Sequence, residues 1–116
     1  MKKRFKVEIL SEAFEFIKGQ EFKTRKKIFQ NLNRAQYSLD PAIFKKLNDE
    51  IWEFKIRFAS KQYRLLAFWD KRDNIETLVI ATHGFIKKTH KTPTKELKKA
   101  EKIREKYYKR KENENL

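Results

Sequence analysis

The sequence predicts a mixed α+β fold, because two kinds of hydrophobic periodicity follow one another along the chain. Apolar and charged residues alternate with a period of two in residues 4–9 and again in residues 51–83, as in half-buried strands. Between these stretches, and again near the C terminus, apolar residues recur at helical spacing. We therefore expect an N-terminal strand, a helical hairpin, three strands and a C-terminal basic helix.

The N-terminal half supplies the first strand and the hairpin. Residues 4–9 carry Phe5, Val7 and Ile9 on one face, and Ser11 is the expected N-cap of the first helix. The apolar faces of the two helices are expected in the core and comprise Ala13, Phe14 and Ile17, then Phe22, Ile28, Phe29, Leu32 and Ala35. Gly19 separates the helices.

The segment after the hairpin is expected to be irregular until the sheet resumes. Asp40-Pro41 closes the hairpin, and residues 41–48 form a predicted connector that packs under the sheet through Ile43, Phe44 and Leu47.

Three strands are predicted next, at residues 51–58, 62–70 and 75–83. They are joined by polar segments of turn length at 59–61 and 71–74. Short connections imply antiparallel neighbours, so these strands form a meander that completes one curved sheet.

The C-terminal helix is expected to begin at Thr92-Pro93, a cap followed by proline at the first helical position, with Glu96 in the first turn. Its apolar stripe is thin and consists of Leu97, Ala100, Ile103 or Arg104, and Tyr107. Residues 109–116 have little to bury and are expected to fray. Residues 1–116 are expected to form a single domain.

Charge is the main compositional clue to function. The 116 residues include 30 Lys and Arg against 16 Asp and Glu, a formal net charge of +14, which favours a nucleic acid partner. No long aliphatic helical face opposes these charges, so membrane binding ranks below RNA or DNA. The basic N terminus lacks the apolar run of a signal peptide, and no window approaches the roughly 20 apolar residues of a membrane span. We expect a soluble, cytoplasmic protein.

The inventory of residues also excludes several chemistries. No cysteine is present, which rules out disulfides and thiol nucleophiles, and two histidines seven residues apart without a nearby acidic cluster predict no metal site. With two glycines in the chain, no phosphate-binding glycine loop can be written, and we expect no cofactor.

A cationic surface is predicted on one side of the second strand. Alternation in residues 51–58 puts Trp52, Phe54, Ile56 and Phe58 in the core and leaves Glu53, Lys55 and Arg57 as a charged floor. Arg64 on the next strand is expected to join them, although it could instead pair with Glu53 across the hairpin. Lys55 and Arg57 could equally be the solvated side of an ordinary sheet.

The residues after the third strand extend this surface. Lys87, Lys88 and His90 are expected to converge on the floor. His90 lies in a basic loop with the intrinsic pKa of a general acid, and its alternative is a plain loop residue. His83 is expected to end its strand, and a structural role is favoured for it.

Such a surface suits metal-independent RNA cleavage. The reaction needs a base for the ribose 2′-OH, cations for the phosphorane and an acid for the leaving 5′-oxygen. Crowded cations lower a lysine's pKa, which would make a Lys a base near neutral pH. The catalytic candidates are Lys55, Arg57, Arg64, Lys87 and His90; which is base and which is acid stays open.

The basic C-terminal segment offers a second type of contact. Residues 87–111 hold 12 Lys and Arg against 3 Glu. The candidate RNA-binding residues are Lys88, Lys91, Lys95, Lys98 and Lys99. Contact with RNA phosphates is favoured over a merely solvated face, because such charge costs self-repulsion.

Three motifs carry a resemblance to a known family. They are the run from Tyr63 to Trp69 (YRLLAFW), the run from His83 to Thr89 (HGFIKKT), and Thr92-Pro93 with Glu96 and Ala100. Together with the order of elements, they resemble the phage-derived, HigB-like branch of the RelE/ParE superfamily of toxins. The similarity covers residues 5–107.

The resemblance implies the toxin of a type II toxin–antitoxin system, a RelE-like fold and a cognate helix-turn-helix antitoxin. It also implies a ribosome-dependent, metal-independent mRNA endonuclease that inhibits translation. A sister branch inhibits DNA gyrase instead, so a non-nuclease toxin is one alternative. A plain RNA-binding module is the other.

Overall fold

A computed structural model describes residues 2–72 and 77–114 of the chain as an α+β protein with one curved five-stranded sheet and three helices. In chain order the elements are β1 (Lys6–Ile9), α1 (Ser11–Lys18), α2 (Phe22–Ala35), β2 (Phe44–Lys46), β3 (Trp52–Phe58), β4 (Lys61–Trp69), β5 (Leu78–Lys87) and α3 (Thr94–Glu114). The strand order across the sheet is β1-β5-β4-β3-β2.

The predicted antiparallel meander is confirmed. Strands β3, β4 and β5 pair in sequence, and β1 joins the free edge of β5 in the parallel direction. A bulge at Leu66/Ala67 shifts the β4–β5 register, so that Leu66 pairs with His83 while Ala67 pairs with Ala81.

Each face of the sheet has its own core. On one face α1 and α2 cover a large cluster that includes Ile17, Ile28, Phe54, Ile56 and Leu65. On the other face α3 covers a smaller cluster, whose buried members are Ile51, Leu66, Phe68, Ile80, Phe85, Ala100 and Tyr107. The alternation along each strand therefore assigns its residues to one layer or the other.

The expectation of a connector at residues 41–48 is wrong, because Phe44–Lys46 is a fifth strand. Phe44 pairs with Phe54, and their rings stack with centroids 4.3 Å apart. A three-residue strand is too short to show a period in the sequence. Ile43 and Phe44 are buried in the core as expected.

The last strand of the meander continues to Lys87 instead of ending at His83. The predicted end lies directly before Gly84. In the fold, Gly84 lies within β5 where the chain has no room: an added Cβ would lie 2.2 Å from the Phe16 ring and 2.6 Å from a Leu65 methyl group. The predicted turn at 71–74 and the predicted start of this strand at 75 cannot be compared in full, because residues 73–76 lie outside the described part of the chain.

Helix boundaries and faces differ from prediction in three respects. Leu10 occupies the N-cap position of α1, and Ser11 is already helical. Helix α3 begins at Thr94, one residue after the predicted first helical residue Pro93, and it continues through Glu114, past the predicted start of fraying at 109. Three predicted core residues are exposed, namely Phe14, Phe22 and Phe29.

The C-terminal helix is attached to the sheet by a buried polar contact. The Tyr107 hydroxyl donates a 2.6 Å hydrogen bond to Asp70, which Arg72 also contacts. Burial opposes ionisation of Asp70, but the bonds from Arg72 and Tyr107 outweigh it and lower its pKa to about 2. In the described residues, no helix is long and apolar enough to cross a membrane.

Candidate nucleic-acid interface

The polar residues of the meander form two rows on the α3 side of the sheet. In one row Lys55 pairs with Arg64; in the next, Arg57 pairs with Gln62, which in turn pairs with Lys87. Cross-strand partners point to the same face, so these side chains share one surface. Helix α3 covers the neighbouring apolar part of that face, and of the two rows only Arg64 is buried.

A cleft of about 400 Å³ lies where the open rows meet the start of α3. We call it the basic cleft, and it is lined by Lys45, Leu47, Glu53, Lys55, Lys87, His90, Lys91, Thr92 and Leu97. Strands and the loop thus contribute cations to one concave surface, and α3 contributes the apolar Leu97. This geometry suits a phosphate chain.

Two further depressions adjoin the basic cleft. One holds Lys27 and Arg34 of α2 beside Lys55 and Arg57, and the other lies over the loop and shares Lys87 with the cleft. Positive side chains therefore continue from the cleft in both directions.

Lys55 is the most perturbed lysine of this surface. Partial burial lowers its pKa most, Glu53 opposes that shift, and the nearby charges of Lys45, Arg64 and Lys87 lower the pKa further. The predicted crowding of cations around a strand lysine is thus present. The result is a lysine whose neutral, proton-accepting form is more accessible than usual.

Arg64 is buried and held on several sides. Its Nε lies 3.1 Å from Glu53 Oε1, and its terminal nitrogens donate to Gln62 at 2.7 Å and to the Tyr63 carbonyl at 3.0 Å. The alternative that Arg64 pairs with Glu53 is therefore confirmed. With its side chain 7% exposed, Arg64 is placed to shape the site from beneath more than to meet a ligand.

Glu53 does not belong to an exposed charged floor, as the sequence suggested, because only 1% of its surface is accessible. A carboxylate buried this deeply requires partners. Arg64 supplies one, and the Thr92 hydroxyl, expected to cap α3, donates to the other carboxylate oxygen. Glu53 thereby ties two strands to the segment that precedes α3.

His83 is buried within β5, in agreement with the favoured structural role. Its Nε2 lies 3.2 Å from Glu96 of α3, and its Nδ1 lies 3.0 Å from the Thr82 hydroxyl. Burial lowers the pKa of His83 and the Glu96 carboxylate raises it, with a net decrease. The Thr82 hydroxyl also donates to the Leu66 carbonyl at 3.1 Å, so both ring nitrogens of His83 contact groups that are themselves fixed by the sheet or by α3.

The loop residues are available to a ligand. Lys88, His90 and Lys91 are exposed, and His90 lines both the basic cleft and the depression over the loop. Lys87 is the last residue of β5, so its backbone is held by strand pairing to β4. The structure therefore brings Lys55, Lys87 and His90 to one cleft.

The predicted RNA-binding lysines of α3 lie elsewhere. Lys95, Lys98 and Lys99 are exposed but are not among the residues that line the basic cleft. Lys99 bonds Glu12 of α1 at 2.9 Å, which directs it toward the opposite side of α3 from Leu97.

Sequence reasoning missed Lys45, Gln62 and the role of Thr92. Lys45 belongs to the unrecognised strand β2. Thr92 has the sequence signature of a cap, and only the tertiary fold brings it to Glu53. Among the residues that the structure describes, no three His, Cys, Asp or Glu side chains are grouped so as to hold a metal ion.

Fold and site together define a small α+β protein with a concave cationic surface. Residues 15–105 match the family model described as "Phage derived protein Gp49-like (DUF891)", and the chain belongs to this family. The family is associated with toxin–antitoxin systems. Neither a curated protein nor a solved structure was found to match the chain.

Proposed function

We propose that this protein is the toxin of a type II toxin–antitoxin system and that it cleaves mRNA on the ribosome without a catalytic metal. The single observation that carries the proposal is the environment of Lys55, a partly buried lysine with a lowered pKa among other cations in an open cleft. Membership in a family associated with toxin–antitoxin systems supports the biological setting.

Lys55 is the proposed general base. In its neutral form it accepts the proton of a ribose 2′-OH, and the resulting oxygen attacks the adjacent phosphorus. The bond from phosphorus to the 5′-oxygen then breaks, leaving a 2′,3′-cyclic phosphate on one fragment. The lowered pKa increases the share of neutral Lys55 at a given pH, which is what this role needs.

Arg57 and Lys87 are proposed to stabilise the phosphorane. They lie at the two ends of one cross-strand row, joined through Gln62, so their charges flank the position beside Lys55. Arg64 is proposed as a positioning residue, because its guanidinium is engaged with Glu53, Gln62 and a backbone carbonyl. Its charge lowers the pKa of Lys55 from within the sheet.

His90 is proposed to donate the proton to the leaving 5′-oxygen. His90 and Lys55 both line the basic cleft, and His90 comes from the loop after β5 whereas Lys55 lies on β3. A base on a strand and an acid on a loop approach a scissile phosphate from two sides, as in-line displacement requires.

The ribosome supplies the rest of the proposed interaction. The exposed lysines of the loop and of α3 would contact rRNA phosphates, with 16S rRNA as the expected partner. A cognate helix-turn-helix antitoxin is the proposed protein partner. Both partners follow from the resemblance and from the charge of the chain.

The test is expression of the chain with mapping of new 5′ ends in cellular mRNA, followed by cleavage on purified programmed ribosomes. We expect cuts at in-frame positions of translated messages and 5′-hydroxyl ends. Growth arrest without any cuts would instead favour a non-nuclease toxin such as a gyrase inhibitor. An unaffected culture would favour a plain RNA-binding module, and efficient EDTA-sensitive cleavage of naked RNA would contradict the metal-free mechanism.

A further inference from the structure

Helix α2 carries an exposed aromatic face that neither core explains. Phe22 is 70% exposed and Phe29 is 44% exposed, while Ile28 and Leu32 of the same helix are fully buried. A shallow depression on the outer side of α2 is lined by Phe22, Arg25, Lys26, Phe29, Gln30 and Asn33, and we call it the α2 aromatic face. Exposed Phe rings in such proximity mark interaction surfaces.

The spacing of the two rings matches a helical partner. Seven residues are within about 20° of two full helical turns, so Phe22 and Phe29 project in nearly the same direction. They are separated by about 10 Å along the axis, which is the repeat of a heptad seam. Bases stacked in a single RNA strand repeat about every 3.4 Å, so consecutive bases would not match both rings.

The charges around the rings select the chemistry of the partner. Helix α2 contains Lys23, Arg25, Lys26, Lys27 and Arg34 and no acidic residue. Several of these cations lie near the N-terminal end of the helix, where the helix dipole disfavours positive charge. An acidic partner would relieve that repulsion, whereas the same face of a second copy would increase it.

The α2 aromatic face is separate from the proposed catalytic surface. Lys27 and Arg34 line the depression beside Lys55, on the flank of α2 away from Phe22 and Phe29. None of the residues that line the α2 aromatic face lines the basic cleft.

We propose that the α2 aromatic face docks an acidic amphipathic helix of a partner protein, which places two apolar residues seven apart against Phe22 and Phe29. Carboxylates flanking this apolar seam would pair with Arg25 and Lys26. The partner can therefore bind while the basic cleft stays open, and the proposal does not depend on the nuclease activity.

The test uses a designed peptide of about three heptads with Leu at the seam positions and Glu at most others. We expect it to bind the full chain in fluorescence anisotropy and to shift amide resonances of α2. The double variant Phe22→Ser/Phe29→Ser should weaken binding by roughly tenfold for each ring. The matched control is Phe14→Ser, which removes a 49% exposed ring of α1 and should leave binding unchanged.

Several results would overturn the proposal. These are failure of the peptide to bind the wild-type chain, equal binding by the Phe22→Ser/Phe29→Ser variant, and equal binding of a peptide in which Lys replaces Glu. A single-stranded RNA whose affinity depends on the two rings would assign the face to nucleic acid. Concentration-dependent dimerisation that the double variant abolishes would assign it to a second copy. The Phe22→Ser/Phe29→Ser variant should still cleave mRNA. The docking proposal and the nuclease proposal can therefore fail independently of each other.

Discussion

On the α3 side of the sheet, one end is covered by helix α3 and the other end is open. Buried charges are stabilised differently at these two ends. At the covered end, Asp70 has its charge satisfied by Arg72 and by the Tyr107 hydroxyl. At the open end, Glu53 satisfies Arg64 from below, while Lys55 is left partly desolvated among other cations. The same strands β3 and β4 contribute to both ends.

The difference separates a structural polar contact from a reactive one. Asp70 has a pKa shifted toward its charged form, which is what favourable partners do. Lys55 has a pKa shifted away from its charged form, because burial and like charges outweigh Glu53. A titratable group in a cleft whose charged form is destabilised is a candidate catalytic residue.

The largest expected effect on stability comes from replacing Glu53, which is buried beneath the open end. Glu53→Gln keeps an acceptor for Thr92 but leaves the buried guanidinium of Arg64 without its counter-charge. We expect a loss of about 3 kcal/mol or more in the free energy of unfolding, measured by urea denaturation. The double variant Glu53→Met/Arg64→Met should recover much of this loss.

The matched control for that pair is Glu50→Gln. Glu50 forms an exposed ion pair with Arg104, with 53% of the Glu50 side chain accessible. Its loss should cost less than about 1 kcal/mol. Equal costs for Glu53→Gln and Glu50→Gln would show that the Glu53–Arg64 pair is not buried in solution.

His90 offers a test confined to the open end. His90→Gln should lower the single-turnover cleavage rate on programmed ribosomes by about a hundredfold, because it removes the proposed proton donor to the leaving 5′-oxygen. Stability should be unchanged, because the side chain is exposed. A rate equal to that of the wild type would show that His90 is a loop residue without a role in cleavage.

Tyr107→Phe should destabilise the covered end by about 1.5 kcal/mol at neutral pH without affecting cleavage. The Asp70 carboxylate has a folded pKa of about 2, below its usual value, so its contribution is present above the unfolded pKa and is lost as pH falls through about 2. The difference between wild type and variant should therefore shrink in acid.

Tyr108→Phe is the control, because the Tyr108 hydroxyl bonds the uncharged Trp69 carbonyl at 3.1 Å. Its cost should not vary over the same acidic range in guanidinium denaturation. A cost for Tyr107→Phe that is likewise constant in acid would contradict the ionised state of Asp70.

The smallest expected effect concerns the lysines of α3. In the proposed interaction Lys98 contacts an rRNA phosphate. Lys98→Gln should therefore reduce the slope of log affinity for the ribosome against log salt concentration by about 1. Lys99→Gln should change it less, because Lys99 already pairs with Glu12. Equal changes in the slope of affinity against salt concentration would show that the Glu12 pair does not restrict Lys99.

The elements with strong periodicity could be predicted from the sequence, and those set by tertiary contacts could not. Alternation in β3 correctly placed Phe54 and Ile56 in the core. The same alternation could not show that Glu53 is buried, because that depends on Arg64 and Thr92 from distant segments. Strand β2 is stabilised by ring stacking of Phe44 on Phe54, which leaves no periodic signal.

The candidate site shows the same division. Convergence of Lys55, Arg57 and Arg64 follows from hairpin register, which short connections determine. The contribution of Lys45 could not be predicted, because it depends on the unrecognised strand β2. The continuation of β5 through Gly84 could not be predicted either, because it depends on how Phe16 packs against that glycine. Helical spacing alone also placed Phe22 and Phe29 in the core, although both are exposed.

In the proposed mechanism Lys55 acts as a neutral base, and two substitutions at this position test that role most directly. Lys55→Met removes both charge and base, whereas Lys55→Arg keeps the charge but cannot lose its proton at these pH values. Single-turnover cleavage of ribosome-bound mRNA should be measured for both across neutral to mildly basic pH. We expect the wild-type rate to rise with pH below the ordinary lysine range, and both variants to lose that rise and about a hundredfold in rate. A Lys55→Arg variant that keeps the wild-type rate and profile would contradict the proposed mechanism, because Lys55 would then contribute charge alone.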